Sequence, residues 1–195
     1  MKLQRFTPDD SAIILIDHQI GLLECVTSKP HDVIRQNCNV AIKFAKAYDL
    51  PLFVTSGMHD VCGGLIKEVK EEIVEFPSKL FSREGGHSCW SNPELKEALL
   101  KLGRRNLFMG GLLTDINLFW SAFDAVQLGF SVKVVSGLCG SPEIEGDRLT
   151  YDRLSKLDVC VLNASQMISE LVPDFSCDYG AEALKILMQD IIAKQ

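Results

Sequence analysis

The feature that most constrains this chain is a series of short apolar, often β-branched runs, most of them without a polar residue inside: Ala12 to Ile16, Leu52 to Thr55, Leu107 to Met109, Val132 to Val135 and Val159 to Leu162. A strand with one face in water alternates apolar and polar residues. A strand covered by helices on both faces stays apolar throughout. The runs therefore predict a parallel sheet. Amphipathic, helix-like segments separate them, near His31 to Tyr48, Gly64 to Glu71, Asn92 to Leu102, Asp115 to Leu128, Ile144 to Lys156 and Ser165 to Leu171, with a closing helix near Tyr179 to Ala193. This βαβ series predicts a doubly wound, Rossmann-like α/β fold of about six parallel strands with helices on both faces. The sixth, shorter strand is expected near Lys79 to Phe81. Ser91-Asn92-Pro93-Glu94 offers a cap with proline in the first turn, and Gly103 and Gly129 fall just past helix ends.

At 195 residues the chain is long enough for one sizeable core and short for two, so a single domain spanning 1–195 is expected. A composition of 47% hydrophobic and 24% charged residues is that of a folding chain, not a disordered one. There is no internal repeat and no low-complexity segment.

The charge balance narrows the partners. The net charge of -6 is spread along the chain, and no run of Lys and Arg can neutralise successive phosphates. Nucleic acid and anionic membrane are not expected as partners. No apolar stretch approaches the roughly 20 residues of a membrane helix. Met1 to Asp10 lacks the apolar core and small-residue end of a secretory signal, so cytoplasmic residence is the expectation. The 7 cysteines are odd in number and show no CxxC spacing, which predicts reduced thiols, several in the core. The 4 histidines are scattered without a short-spaced ligand pair, and both a P-loop and a GxGxxG fingerprint are missing. Neither metal nor cofactor is expected.

In open α/β sheets ligands bind beyond the carboxyl ends of the strands. Asp17 follows Ile13-Ile14-Leu15-Ile16 directly, which places a carboxylate there. Two readings stand open, a general acid or base and a cap of the following turn. His18, next in the chain, reads as a second pocket group or as a packed, hydrogen-bonded imidazole. Arg83 lies in Phe81-Ser82-Arg83-Glu84-Gly85-Gly86-His87-Ser88-Cys89-Trp90, a loop in which the guanidinium can bind a carboxylate and Trp90 can supply an apolar wall. The other reading of Arg83 is a surface ion pair. Gly110-Gly111-Leu112-Leu113-Thr114-Asp115-Ile116-Asn117 runs from a central strand into a helix, whose first N–H groups can face an oxyanion or simply start the helix.

Three segments together resemble one family: Leu15-Ile16-Asp17-His18-Gln19, the loop from Arg83 to Trp90, and Gly110-Gly111-Leu112-Leu113-Thr114-Asp115. They are similar to the isochorismatase-like, or cysteine hydrolase, family. The likeness continues through Ser121-Ala122-Phe123-Asp124-Ala125, Gly129-Phe130 and Val134-Val135-Ser136, and covers roughly residues 7 to 170. The resemblance implies an Asp, a basic residue and a Cys acting together, at Asp17, Arg83 and position 117. It also implies helix-start N–H groups presented by a cis peptide at Leu113-Thr114.

Two residues depart from that pattern. Position 117 is Asn, which hydrogen-bonds but cannot act as a thiolate, and the basic residue is Arg where many members have Lys. Thioester chemistry at position 117 is excluded. The resemblance then implies a hydrolase acting on a small metabolite by Asp-dependent, non-covalent hydrolysis, with Arg83 anchoring a substrate carboxylate and His18, Trp90, Leu113, Thr114 and Cys139 lining the site. A relocated nucleophile at Cys139 or Cys89 is a second possibility. The alternative is an inactive member that binds a small molecule or serves as an oligomeric partner. A homo-oligomer is expected by analogy, with Leu118-Phe119-Trp120 offering apolar contact area. The segment Thr55-Ser56-Gly57-Met58-His59-Asp60-Val61-Cys62 lacks the Asp and paired histidines of the metal-binding nicotinamidase branch.

Overall fold

The computed structural model describes residues 4–75 and 79–194. The chain runs through β1 (Ser11–Ile16), α1 (Ile20–Glu24), α2 (His31–Ala47), β2 (Leu52–Gly57), α3 (His59–Cys62), α4 (Lys67–Glu75), β3 (Lys79–Arg83), α5 (Pro93–Leu102) and β4 (Asn106–Gly111). It continues through a wide π-helical turn (Thr114–Leu118), α6 (Phe119–Gln127), β5 (Ser131–Val135), α7 (Ile144–Ser155), β6 (Cys160–Leu162), α8 (Ala164–Leu171) and α9 (Asp178–Ile186). Six strands form one sheet in the order β3-β2-β1-β4-β5-β6, and every pairing is parallel. This is the α/β fold that the unbroken apolar runs predicted.

Why the runs are unbroken is visible in β1. Its alternate residues feed two separate cores: Ile13 and Leu15 pack with α2, α8 and α9, while Ala12, Ile14 and Ile16 pack with α5, α6 and α7. All of these strand residues are 0% exposed. Burying each large aliphatic side chain contributes roughly 1.5–3 kcal/mol, so a polar residue on either face of β1 would be costly.

The helix signals hold where the chain is locally self-sufficient. Asn92 caps α5 by accepting from the N–H groups of Glu94 and Leu95, with Pro93 in the first turn, and Gly103 ends it at φ 74°. Other boundaries shift where tertiary bonds compete. The helix expected from Gly64 begins only at Lys67, because Leu65 bridges Gln19 and the Ile66 N–H donates to the His18 carbonyl. The helix expected from Asp115 opens instead as a wider turn, closed by Leu118 N–H on the Leu113 carbonyl. The closing helix runs regularly to Ile186 and then widens into a π-helical turn at Leu187–Ile191. Of the apolar trio expected at a contact surface, Leu118 and Phe119 are buried and only Trp120 faces outward. No helix among the described residues is long and apolar enough to cross a membrane.

The strand order reverses between β1 and β4. Ile16 pairs with Gly111 there, so the residues that follow the two strands, Asp17 and Leu112, emerge side by side at the switch point. Close approach of the neighbouring loop shapes this edge: a Cβ on Gly110 would sit 2.2 Å from the Leu138 Cβ.

Candidate active site

Asp17 takes a left-handed backbone conformation, φ 53°, which Asp tolerates better than most residues. Its N–H donates to the Thr55 carbonyl in β2 and its carbonyl accepts from the Gln19 N–H, so the chain turns sharply and leaves the carboxylate at the carboxyl end of the sheet. The Asp17 side chain is only 2% exposed.

Four donors converge on that carboxylate. Thr55 Oγ1 donates to Oδ1 at 2.8 Å and Arg83 Nη1 donates to Oδ1 at 2.6 Å. Arg83 Nη2 and Asn117 Nδ2 donate to Oδ2, the latter at 3.0 Å. Two oxygens offer about four lone-pair directions, so in-plane acceptor capacity is filled.

Arg83 is equally occupied. Beyond its two-pronged pairing with Asp17, Nε donates to the Gly86 carbonyl at 2.7 Å, Nη2 to the His87 carbonyl at 3.3 Å, and Nη1 reaches Thr55 Oγ1 at 3.5 Å. All five guanidinium hydrogens thus have partners. Burial works against its charge, and the hydrogen bonds and negative charge of Asp17 more than offset that, holding the guanidinium above its ordinary range.

Asn117 completes the cluster from the turn before α6. Its Nδ2 donates both to Asp17 and to the Leu112 carbonyl, at 2.8 Å. Two acceptors on one end of the amide fix its orientation, because an oxygen placed there would face only other acceptors. The cis peptide lies at Leu112-Leu113, one residue ahead of the place the resemblance implied. Thr114 N–H is already bonded to the Gly140 carbonyl.

The structure therefore brings Asp17, Arg83 and Asn117 together. It gives other candidates packing surroundings. His18 is 0% exposed and its Nε2 donates to the Leu138 carbonyl, while Nδ1 has no partner among the described residues. Burial pulls its pKa down to about 4, which keeps it neutral. Trp90 stacks on Phe130 and donates from Nε1 to the Ser121 carbonyl. Leu113 packs in the core shared with α2. Thr114 is buried, with no partner for Oγ1 among the described residues.

Cys139 and Cys89 are both fully buried, and burial pushes each thiol up to about 12. Cys139 Sγ donates to the Val135 carbonyl. Neither has the thiolate character that a nucleophile needs.

Three participants were missed in the sequence. Thr55 closes the apolar run of β2 in register with Ile16, and that polar residue beside the residue preceding Asp17 was the available signal. Gln19 ties the site's second layer, accepting from Gly57 N–H and donating to the Gly63 carbonyl. Half-buried Cys62 lies within electrostatic reach of both Asp17 and Arg83, and burial, followed by the Asp17 charge, raises its thiol. Nothing in the local sequence distinguishes it from the other cysteines. No group of three or more His, Cys, Asp or Glu side chains among the described residues could hold a metal ion.

Residues 11–166 match the isochorismatase domain model, well over half of the chain. The chain belongs to the isochorismatase family. Among curated proteins, this isochorismatase-family chain is 27% identical over 175 residues to the probable hydrolase YcaC of Escherichia coli K12, covering 89% of this chain and 83% of that one. Among solved structures it superposes on the E. coli YcaC gene product, described as an octameric hydrolase of unknown specificity, with a TM-score of 0.91 at 25% identity, covering 99% and 94% of the two chains. It is similar also to Pseudomonas aeruginosa YcaC, solved with hexane-2,5-diol and covalent acrylamide, with a TM-score of 0.90 at 26% identity over 99% and 95%.

Proposed function

We propose that this isochorismatase-family chain is a hydrolase of small carbonyl-bearing metabolites that works by directed attack of water, with no covalent intermediate. The observation that carries the reading is Asn117: the position that the family resemblance assigns to a nucleophile still faces the Asp17 carboxylate at 3.0 Å, but offers an amide. The buried Cys139 and Cys89 do not supply a substitute.

In this scheme Arg83 and Thr55 orient Asp17 as the base. Water enters by replacing the single Asn117 hydrogen bond on Oδ2, a contact to a charged group worth about 1.5–3 kcal/mol, which the water's own donation to Oδ2 offsets in part. Water oxygen attacks the carbonyl carbon as its proton passes to Oδ2. Collapse of the tetrahedral adduct expels the leaving group, which takes that proton back. Asn117 and the Leu112 carbonyl position the reacting groups.

A second reading, ligand binding without turnover, is favoured by the filled acceptor positions of Asp17. A hydrolysis screen over amides, esters and isochorismate-like ethers separates the two, using wild type, Asp17→Asn, Cys139→Ser and Asn117→Cys. Turnover in wild type and Cys139→Ser that disappears in Asp17→Asn is the expected result. Turnover confined to Asn117→Cys would establish the second reading.

We also propose that residues 1–195 act as one domain, in the cytoplasm, and that copies associate. The octameric state described for E. coli YcaC supports association, as do the outward-facing Trp120, Ile116, Ile144 and Leu149 along the turn, α6 and α7.

A further inference from the structure

Two free thiols stand on facing elements near Asp17. Cys25 caps the end of α1 and is exposed, and Cys62 is the last residue of α3 and is half-buried.

Gly21 brings the two elements together. A Cβ on it would sit 3.0 Å from the Cys62 carbonyl oxygen and 3.3 Å from the Cys62 Cα, so α1 meets α3 backbone to backbone at this point. Cys25 follows Gly21 by one helical turn and lies on the same face of the helix. Its side chain leans back along α1, with Sγ donating to the Gly21 carbonyl at 3.2 Å. The Cys25 thiol therefore lies over the turn of α1 that touches Cys62. Consistent with that placement, Cys25 opposes ionisation of Cys62, after burial and the Asp17 charge.

A disulfide needs Cα atoms about 4.4–6.8 Å apart. Closing the pair disturbs little of the core, because α3 has no buried residue and α1 has only Leu23. Cys38 and Cys139 also lie within electrostatic reach of one another, but both are 0% exposed and closed to a reagent in solution.

From this placement we infer that Cys25 and Cys62 form a reversible disulfide site, oxidised by a small-molecule disulfide, that ties α1 to α3 beside Asp17. Exposed Cys25, as its thiolate, attacks one sulfur of the reagent; that S–S bond breaks and one thiol leaves. Cys62, as its thiolate, then attacks the Cys25 sulfur of the mixed disulfide and expels the second thiol. The two protons lost by the cysteines end on the two released thiols, and the pair gives up two electrons to the reagent. The bridge joins two segments that border the site: α1 follows the turn at Asp17, and Met58, which launches α3, donates its N–H to the Arg83 carbonyl.

The test is incubation of the native chain with glutathione disulfide at neutral pH, sampled once exposed Cys177 carries its glutathione adduct, followed by acid quench, a non-reducing gel and peptide mapping. In wild type the Cys25 and Cys62 peptides are expected to be joined within one chain, two hydrogens lighter than their sum, and to separate again on treatment with dithiothreitol. Cys62→Ser removes the resolving thiol and is expected to stop at a stable glutathione adduct on Cys25. A stable adduct on Cys25 of wild type, a pair left unmodified while Cys177 has reacted, or a Cys25 disulfide between chains would overturn the inference, and none of these results depends on a variant folding.

Discussion

Lowering the pH toward 5 should destabilise this protein with a separable contribution from His18. The imidazole is 0% exposed beneath the site, and burial holds its folded pKa at about 4 against an ordinary 6.5. A histidine with a depressed folded pKa keeps its full stability above the unfolded value. It loses stability as pH falls from there toward the folded value, because only the unfolded chain takes up the proton. At about pH 5 the unfolded chain is about 1.5 units below its own pKa and the folded chain is still unprotonated, and at about 1.4 kcal/mol per unit the loss is about 2 kcal/mol. Carboxylates also contribute acid sensitivity, so the comparison is with His18→Gln, which does not titrate and can still donate to the Leu138 carbonyl. Urea unfolding followed by tryptophan fluorescence at one protein concentration should show wild type losing about 2 kcal/mol more than His18→Gln between about pH 7 and pH 5. Equal losses in the two proteins would refute the neutral, buried assignment.

Three further outcomes follow from the same geometry. Arg83→Met leaves the Asp17 carboxylate buried without its cation and should cost about 3–5 kcal/mol, with part of that recovered in the Asp17→Asn, Arg83→Met double variant; chemical denaturation of the set measures the coupling. Gly110→Ala drives a methyl group to 2.2 Å from the Leu138 Cβ, a backbone-proximal atom that cannot swing away, and should lower stability by about 1–3 kcal/mol in thermal melts. In native protein a thiol reagent should modify exposed Cys25 and Cys177 rapidly while Cys38, Cys89 and Cys139 wait for unfolding, as read by peptide mass spectrometry.

The sheet was legible because burial on both faces writes itself into the sequence as unbroken apolar runs, and a run such as Ile13-Ile14-Leu15-Ile16 has no other comfortable place. The two short helices α1 and α3 were not read. They span 5 and 4 residues, too few for a periodic pattern, and α3 is launched from a left-handed Met58. Asp17, Arg83 and Asn117 were readable as positions from the strand ends and the family resemblance, yet their connections were not. That Arg83 grips Asp17 depends on β3 running beside β2, with Gly57 in register with Arg83. Thr55 entered the site for the same reason, through strand register. Conversely, chain position placed Trp90 and Cys139 near the site but gave no direction for their side chains, and packing claimed both.

The most direct test of hydrolysis without a covalent intermediate is the intact mass of the protein, quenched with acid during turnover of the best substrate found in the screen. Unmodified wild-type mass throughout steady turnover, with turnover abolished in Asp17→Asn, is the predicted result. An acyl adduct that accumulates on Cys62, Cys89 or Cys139, or activity that survives Asp17→Asn, would contradict it.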